Sequence, residues 1–314
     1  MSRGLGCLLG TVAAGVFFGG QARAGESTGP KVAITPRITE AAHGRLRSNI
    51  RLDVNEVLIP VTVTDALDRP VTSLSQDNFR ILEDAEEQQI ASFVQEDAPV
   101  SAGLVFDSSG SMKNRIAGSV DALKLFFQTI VPGDEFFVIQ FSDRARLLGG
   151  FTDKPEEIYE ELGFVQGKGW TALLDALALG THQMKAARNR RRALLVLSDG
   201  NDNNSRFSES EVKSRVVEAD LRVYAIGLAY RPRLLEQFAE ETGGAVLVAQ
   251  TASELPDVVQ RLSTLMRSQY VLGYRPRKAQ NDGKYHKVRI EVVRSTGAPP
   301  LRASWRHGYY APGE

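Results

Sequence analysis

Val57, Ile59, Val61 and Val63 stand at every second position of the stretch that begins at Glu56. A period of two puts these side chains on one face of a half-buried β-strand. A turn over 65–70 follows, and the segments 79–83 and 90–94 predict two more strands. Residues 50–98 therefore read as a small all-β unit. From Ala102 the pattern changes. Apolar runs predicting strands over 103–107, 136–141, 145–149, 193–198, 222–227 and 245–248 take turns with amphipathic helices. Ala193-Leu194-Leu195-Val196-Leu197 is apolar without interruption, as a strand buried on both faces of a parallel sheet requires. Ile116, Val120, Leu123, Phe127 and Ile130 keep helical spacing, as do Leu173, Leu177, Gly180 and Met184. Ser208-Glu209-Ser210-Glu211 has the form of a capping box, opening a helix that carries Val212 and Val216.

This alternation predicts an α/β domain over 100–267. It is doubly wound, with a mostly parallel six-stranded sheet and helices on both faces, a Rossmann-like arrangement. The run 145–149 follows its neighbour after a tight turn, which predicts an antiparallel edge strand. After Met266 the helical pattern stops. Short alternating runs over 270–274, 286–293 and 301–305, separated by Gly, Pro and Asn-Asp-Gly turns, define a C-terminal β segment at 268–311. Each flanking segment holds only three or four strands, and isolated small sheets are marginal. The expectation is that the N- and C-terminal β segments pair into one β-sandwich with the α/β domain inserted between them.

The start of the chain changes where this protein is expected to work. Arg3, the uncharged apolar stretch 8–20 and Ala22-Arg23-Ala24 have the layout of a secretory signal over 1–24. The apolar stretch is too short to span a membrane comfortably. Export, to the periplasm or outside the cell, follows, with no integral membrane span after cleavage. Residues 25–49 are polar, hold Pro30 and Pro36, and read as a flexible leader. The single cysteine, Cys7, lies within the signal, so the mature chain has no disulfide to hold it. Hydrophobic residues make up 42% of the 314 and charged residues 24%, ordinary for a globular protein. Lys+Arg and Asp+Glu balance at 38 each, which gives no support to a nucleic-acid partner.

The chemistry concentrates at strand ends. Asp107-Ser108-Ser109-Gly110-Ser111 closes the predicted strand 103–107, where ligands bind in open α/β sheets. Gly169-Trp170-Thr171-Ala172-Leu173 and Leu197-Ser198-Asp199-Gly200 supply matching oxygens. The oxygen-only set Asp107, Ser109, Ser111, Thr171 and Asp199 suits a hard divalent cation, Mg2+ or else Mn2+ or Ca2+. Against this stands the plain composition of Asp-Ser-Ser-Gly-Ser, an ordinary turn sequence when taken alone. Asp134 and Asp143 read as structural turn residues, and Asp202 as a solvated loop residue. The arginines between Arg188 and Arg192 read as a solvated face, and 166–169 as a hinge-like linker. Trp170 reads equally as an interface anchor or as a packing residue.

These motifs resemble the metal-ion-dependent adhesion site of von Willebrand factor type A domains, with every position of that site filled by the expected residue type. The resemblance implies metal contact by Ser109, Ser111 and Thr171, with Asp107 and Asp199 acting through water or as outer acceptors. Pro70-Val71, Asp77-Asn78-Phe79, Glu83-Asp84 and 89–93 resemble the lead-in of a type A related family common in acidobacterial genomes. Tyr270-Val271-Leu272-Gly273-Tyr274 and Gly308-Tyr309-Tyr310 resemble its end. The function so implied is an exported, cation-dependent adhesion or interaction module that takes an acidic side chain of a protein partner onto the metal. The alternatives are a structural envelope component braced by its metal and a metal-assisted hydrolase. An aspartyl-phosphatase needs a carboxylate two residues after Asp107, where Ser109 stands, and a serine hydrolase needs a strained Gly-x-Ser-x-Gly turn, which Asp107-Ser108-Ser109-Gly110-Ser111 does not supply. The four histidines, His43, His182, His286 and His307, are scattered, so no enzyme is expected.

Overall fold

The computed structural model describes residues 56–96, 98–163, 165–277, 282–294, 297 and 299–313, and among the described residues it forms fourteen strands and six α-helices. The predicted signal, the leader and Cys7 lie outside the described residues. Six strands build the central sheet: β5 (Val100–Asp107), β6 (Glu135–Phe141), β7 (Ala145–Thr152), β8 (Arg191–Ser198), β9 (Arg222–Leu228) and β10 (Ala245–Ala249), in the order β10-β9-β8-β5-β6-β7. All neighbours run parallel except β7, which pairs antiparallel with β6 at the edge. The mostly parallel doubly wound fold is thus the one the alternating pattern predicts.

Every residue of β5 is buried, and its side chains feed two cores. Ala102, Leu104 and Phe106 face helices α1 (Ile116–Phe127), α2 (Glu156–Gly163) and α6 (Leu255–Arg267). Val105 faces α3 (Leu173–Gln183), α4 (Glu209–Glu218) and α5 (Arg233–Thr242). From β5 the chain moves first to β6 on one side and later to β8 on the other. The strand order therefore reverses at β5, and the carboxyl ends of β5 and β8 border the resulting crevice.

The flanking segments interleave. β1 (Val57–Thr64) and β4 (Ile90–Glu96) pair antiparallel with β11 (Gln269–Tyr274), and β13 (Arg302–Trp305) joins β1. The second sheet runs β14 (Gly308–Tyr310), β12 (Tyr285–Val292), β2 (Phe79–Glu83) and β3 (Glu86–Gln88). Ile59, Val61, Val63, Tyr270 and Leu272 from one sheet share a core with Phe79, Ile81, Val288 and Ile290 from the other. This is a sandwich to which both segments flanking the α/β unit contribute.

The arginine run is a solvated face at Arg188 and Arg190, as its sequence reads, but Arg191 and Arg192 are half-buried, and the run is tied into the fold. Arg188 bonds the buried carboxylate of Glu135, 2.7 Å from Nε. The Arg191 guanidinium donates to the carbonyls of Ala98, Met266 and Arg267, holding together the two points where the chain passes between sandwich and α/β unit. Periodicity could not reveal this, because the acceptors are backbone carbonyls that carry no sequence mark. Asp134 accepts from the amides of Val100 and Val131 and pairs with Arg267 at 2.6 Å.

Candidate metal centre

Asp107 ends β5 and is fully buried. Its Oδ1 accepts the Ser109 amide at 2.8 Å, and its Oδ2 accepts the Ser198 hydroxyl at 2.5 Å. Ser198 Oγ in turn accepts the Gly200 amide at 2.8 Å. One hydroxyl thereby locks the end of β8 to the end of β5. Ser109 and Ser111 bring their hydroxyl oxygens to 3.0 Å of each other. Burial pushes the Asp107 carboxyl above its ordinary range and the charge of Asp199 adds to this, while the hydrogen bonds from Ser198 and Ser109 pull the other way.

The Thr171 loop is tied to both of the others. Gly110 donates its amide to the Gly169 carbonyl (3.0 Å), and Lys168 to the Ser108 carbonyl (2.9 Å), so 166–169 is a docked segment and not the hinge-like linker expected. Thr171 is buried; its amide donates to Asn203 Oδ1 and its carbonyl accepts the amides of Asn203 and Asn204. Asp202, expected to be a solvated loop residue, is half-buried: its Oδ1 accepts the Leu174 amide at the start of α3 and the Ser205 hydroxyl. It satisfies a first-turn amide of α3 that lies 28 positions away in the sequence. Asp143 accepts the Trp170 amide at 2.7 Å, and the Trp170 side chain is 64% exposed.

Asp199 completes the set and is the telling member. It is 3% exposed, and its Oδ1 is buried with no hydrogen-bond partner. Buried carboxylate oxygens are ordinarily satisfied, since an unpaired one is costly. A cation would supply the missing partner, and the donor set of carboxylates and hydroxyls suits a hard divalent ion. Among the described residues no cluster of three His, Cys, Asp or Glu forms a metal group, so the hydroxyl-rich set around Asp107 stands apart from the usual zinc pattern.

Sequence reasoning missed Tyr230 as a neighbour of the site and gave no reason for the glycine at 200. Tyr230, just past β9, accepts the Asn201 side-chain amide at 3.1 Å. Burial and the Asp199 charge raise its hydroxyl pKa, with Asn201 and Arg115 opposing. Gly200 packs so tightly beneath this loop that a Cβ would collide with the Pro232 ring; with φ +78°, the position suits only glycine. The signal available was position: the residues after β9 emerge at the same edge as those after β5 and β8.

Residues 104–201 match the family model for the von Willebrand factor type A domain. The chain contains a von Willebrand factor type A domain. The solved structure of a von Willebrand factor type A protein from Catenulispora acidiphila is similar to it, with 14% identity and a TM-score of 0.51 over 75% of this chain and 73% of that one. At this identity the likeness concerns the fold. Proximal thread matrix protein 1 from the mussel byssus, in a structure with a zinc-occupied MIDAS motif, aligns at 20% identity and TM-score 0.47, over 59% of this chain and 49% of that one. BatB from Bacteroides thetaiotaomicron aligns at 17% identity and TM-score 0.45, over 54% of this chain and 100% of that one. No curated protein matches the chain. The matched span of the type A domain runs from β5 through Asp199, so it takes in all five oxygen-bearing residues. Among the described residues no helix is long and apolar enough to cross a membrane.

Proposed function

We propose that this protein is an exported, divalent-cation-dependent binding module whose type A domain captures an acidic side chain of a protein partner, and that it is not an enzyme. The observation that carries the reading is the buried, unpartnered Asp199 Oδ1 beside the Asp107 carboxylate and the paired Ser109 and Ser111 hydroxyls. Ser109, Ser111 and Thr171 would hold the ion directly. Asp107, both of whose oxygens already accept protein hydrogen bonds, would act from the outer layer. A bound cation supplies positive charge at a site built mainly of neutral hydroxyls, which leaves it attractive to an incoming carboxylate. Trp170, and Tyr230 at 42% exposure, offer aromatic surface in the surrounding loops of the kind that anchors interfaces. Against catalysis, His182 lies in the last turn of α3, at the end away from Thr171, and His286 and His307 belong to the sandwich.

The test is calorimetric titration of the chain with Mg2+, Mn2+ and Ca2+, beside the Ser109→Ala/Ser111→Ala variant. Heat of binding in the parent and none in the variant is expected; equal binding by both, or none by either, rejects the cation site. Peptides bearing Asp or Glu should then bind in Mg2+ and release in chelator, while Asn or Gln versions should not bind. Retention in chelator would reject the proposed capture mechanism.

A further inference from the structure

The amino end of the central sheet, opposite Asp107, borders a cavity of ≈ 270 Å³ shared with the sandwich. One wall is apolar. Pro60, Val271 and Val94 stand side by side in register on β1, β11 and β4. They alternate with Ile59, Val61, Tyr270 and Leu272, which face the sandwich core, and so line the cavity from the sheet's other face. The opposite wall is basic, with Arg190, Arg191, Arg192 and Arg222. Asp220 also lines it but is held by Arg306 at 2.7 Å.

Among the described residues, two of these cations lack a counter-charge. Arg222 is 9% exposed and donates to neutral oxygens, the carbonyl of Pro60 and the hydroxyl of Thr62; it forms no ion pair among the described residues. Arg192 keeps its Nε buried with no hydrogen-bond partner. An arginine cannot shed its proton to relieve burial, and a buried charge left unpaired is costly. An oxyanion answers both, because the guanidinium fork binds carboxylate through paired, charge-assisted hydrogen bonds.

We propose that this cavity binds a small organic carboxylate, its head on Arg192 and Arg222 and its apolar body against Pro60, Val94 and Val271. Ligand pockets range over about 300–1,000 Å³, so the volume suits a short-chain or single-ring acid and not a nucleotide. The site shares no residue with the Asp107 centre.

Octanoate and benzoate are the probes, with inorganic phosphate alongside, titrated calorimetrically into the full chain. The variants are Arg192→Gln, at a side chain whose Nε bonds nothing in the fold, and Val94→Asp, on the edge strand β4 at 53% exposure. Saturable binding of either acid is expected, weakened roughly tenfold or more in Arg192→Gln, as loss of a charged hydrogen bond implies. Val94→Asp should weaken it as well, by setting a like charge in the apolar wall. No saturable binding of either acid overturns the proposal, and so does binding that both variants retain. Binding of phosphate with neither acid overturns the apolar-body assignment.

Discussion

Asp199 sets the energetics of the candidate centre because it is a buried carboxylate that repels its neighbour Asp107 and leaves one oxygen unpaired. Replacing it with Asn removes the repulsion. In chelator, Asp199→Asn should therefore be as stable as the parent or more so, by about 1 kcal/mol. In Mg2+ the order should reverse, since the parent gains stability by ligand linkage and the variant does not. Thermal melts with and without Mg2+ read both; a parent whose melting point ignores Mg2+ would speak against the centre. The oxygen-bearing residues were legible in the sequence because three of them share one pentapeptide and the others follow apolar runs or glycine turns. What joins them was not legible. The Ser198 hydroxyl on Asp107 spans 91 positions, and Asp202 meets the Leu174 amide 28 positions away. Such contacts depend on which loops the sheet order makes neighbours, which no local pattern records.

At the level of elements, legibility followed the number of repeats a pattern had in which to declare itself. The buried strands of the central sheet and the start of α4 stood out; β3 and β14, three residues each, hold barely one alternation, and among its described side chains α2 buries only Ile158 and Leu162. The α4 capping box forms as read, with the Ser208 hydroxyl accepting the Glu211 amide and Glu211 reaching back to the Ser208 amide. Ser208→Ala should cost about 1 kcal/mol in urea denaturation, and an unchanged midpoint would deny the cap any part in holding α4. The end of α5 is more demanding. Gly243 there has φ +72°, and a Cβ would collide with the Trp305 backbone, where the helix end abuts the sandwich. Left-handed backbone at a non-glycine residue costs roughly 1–3 kcal/mol before the clash is counted. Gly243→Ala should thus destabilise more than Ser208→Ala, and the reverse order in the same assay would show that the junction yields readily.

Across the whole molecule, the joining of both flanking segments into one sandwich was foreseeable only as a need for partners. The pairing of Val57 with Tyr274 is made by backbone groups that any sequence carries. One polar device in this sandwich makes its stability depend on pH. His286 on β12 is 6% exposed, with Nδ1 2.8 Å from Asp84 on the β2–β3 turn and Nε2 3.2 Å from Asp282. Burial of the ring lowers its pKa, but the hydrogen bonds and charges of the two carboxylates outweigh burial and the net shift is upward. The carboxyl pKa values are lowered, that of Asp84 chiefly by His286, and that of Asp282 first by the Lys284 amide and then by His286. A raised histidine pKa means that the charged ring stabilises the fold fully below its ordinary value of about 6.5 and loses that contribution as pH rises through the folded value. The lowered carboxylates contribute above their ordinary value of about 3.9 and fail as pH falls through their folded values. The interaction therefore operates between those limits. The melting-point difference between the parent and His286→Gln should be largest near about pH 5.5 and shrink towards about pH 8.5 as the ring loses its charge. A difference that stays constant across that interval would mean that His286 holds the sandwich by packing against Tyr309, 5.8 Å between ring centroids, and not by charge.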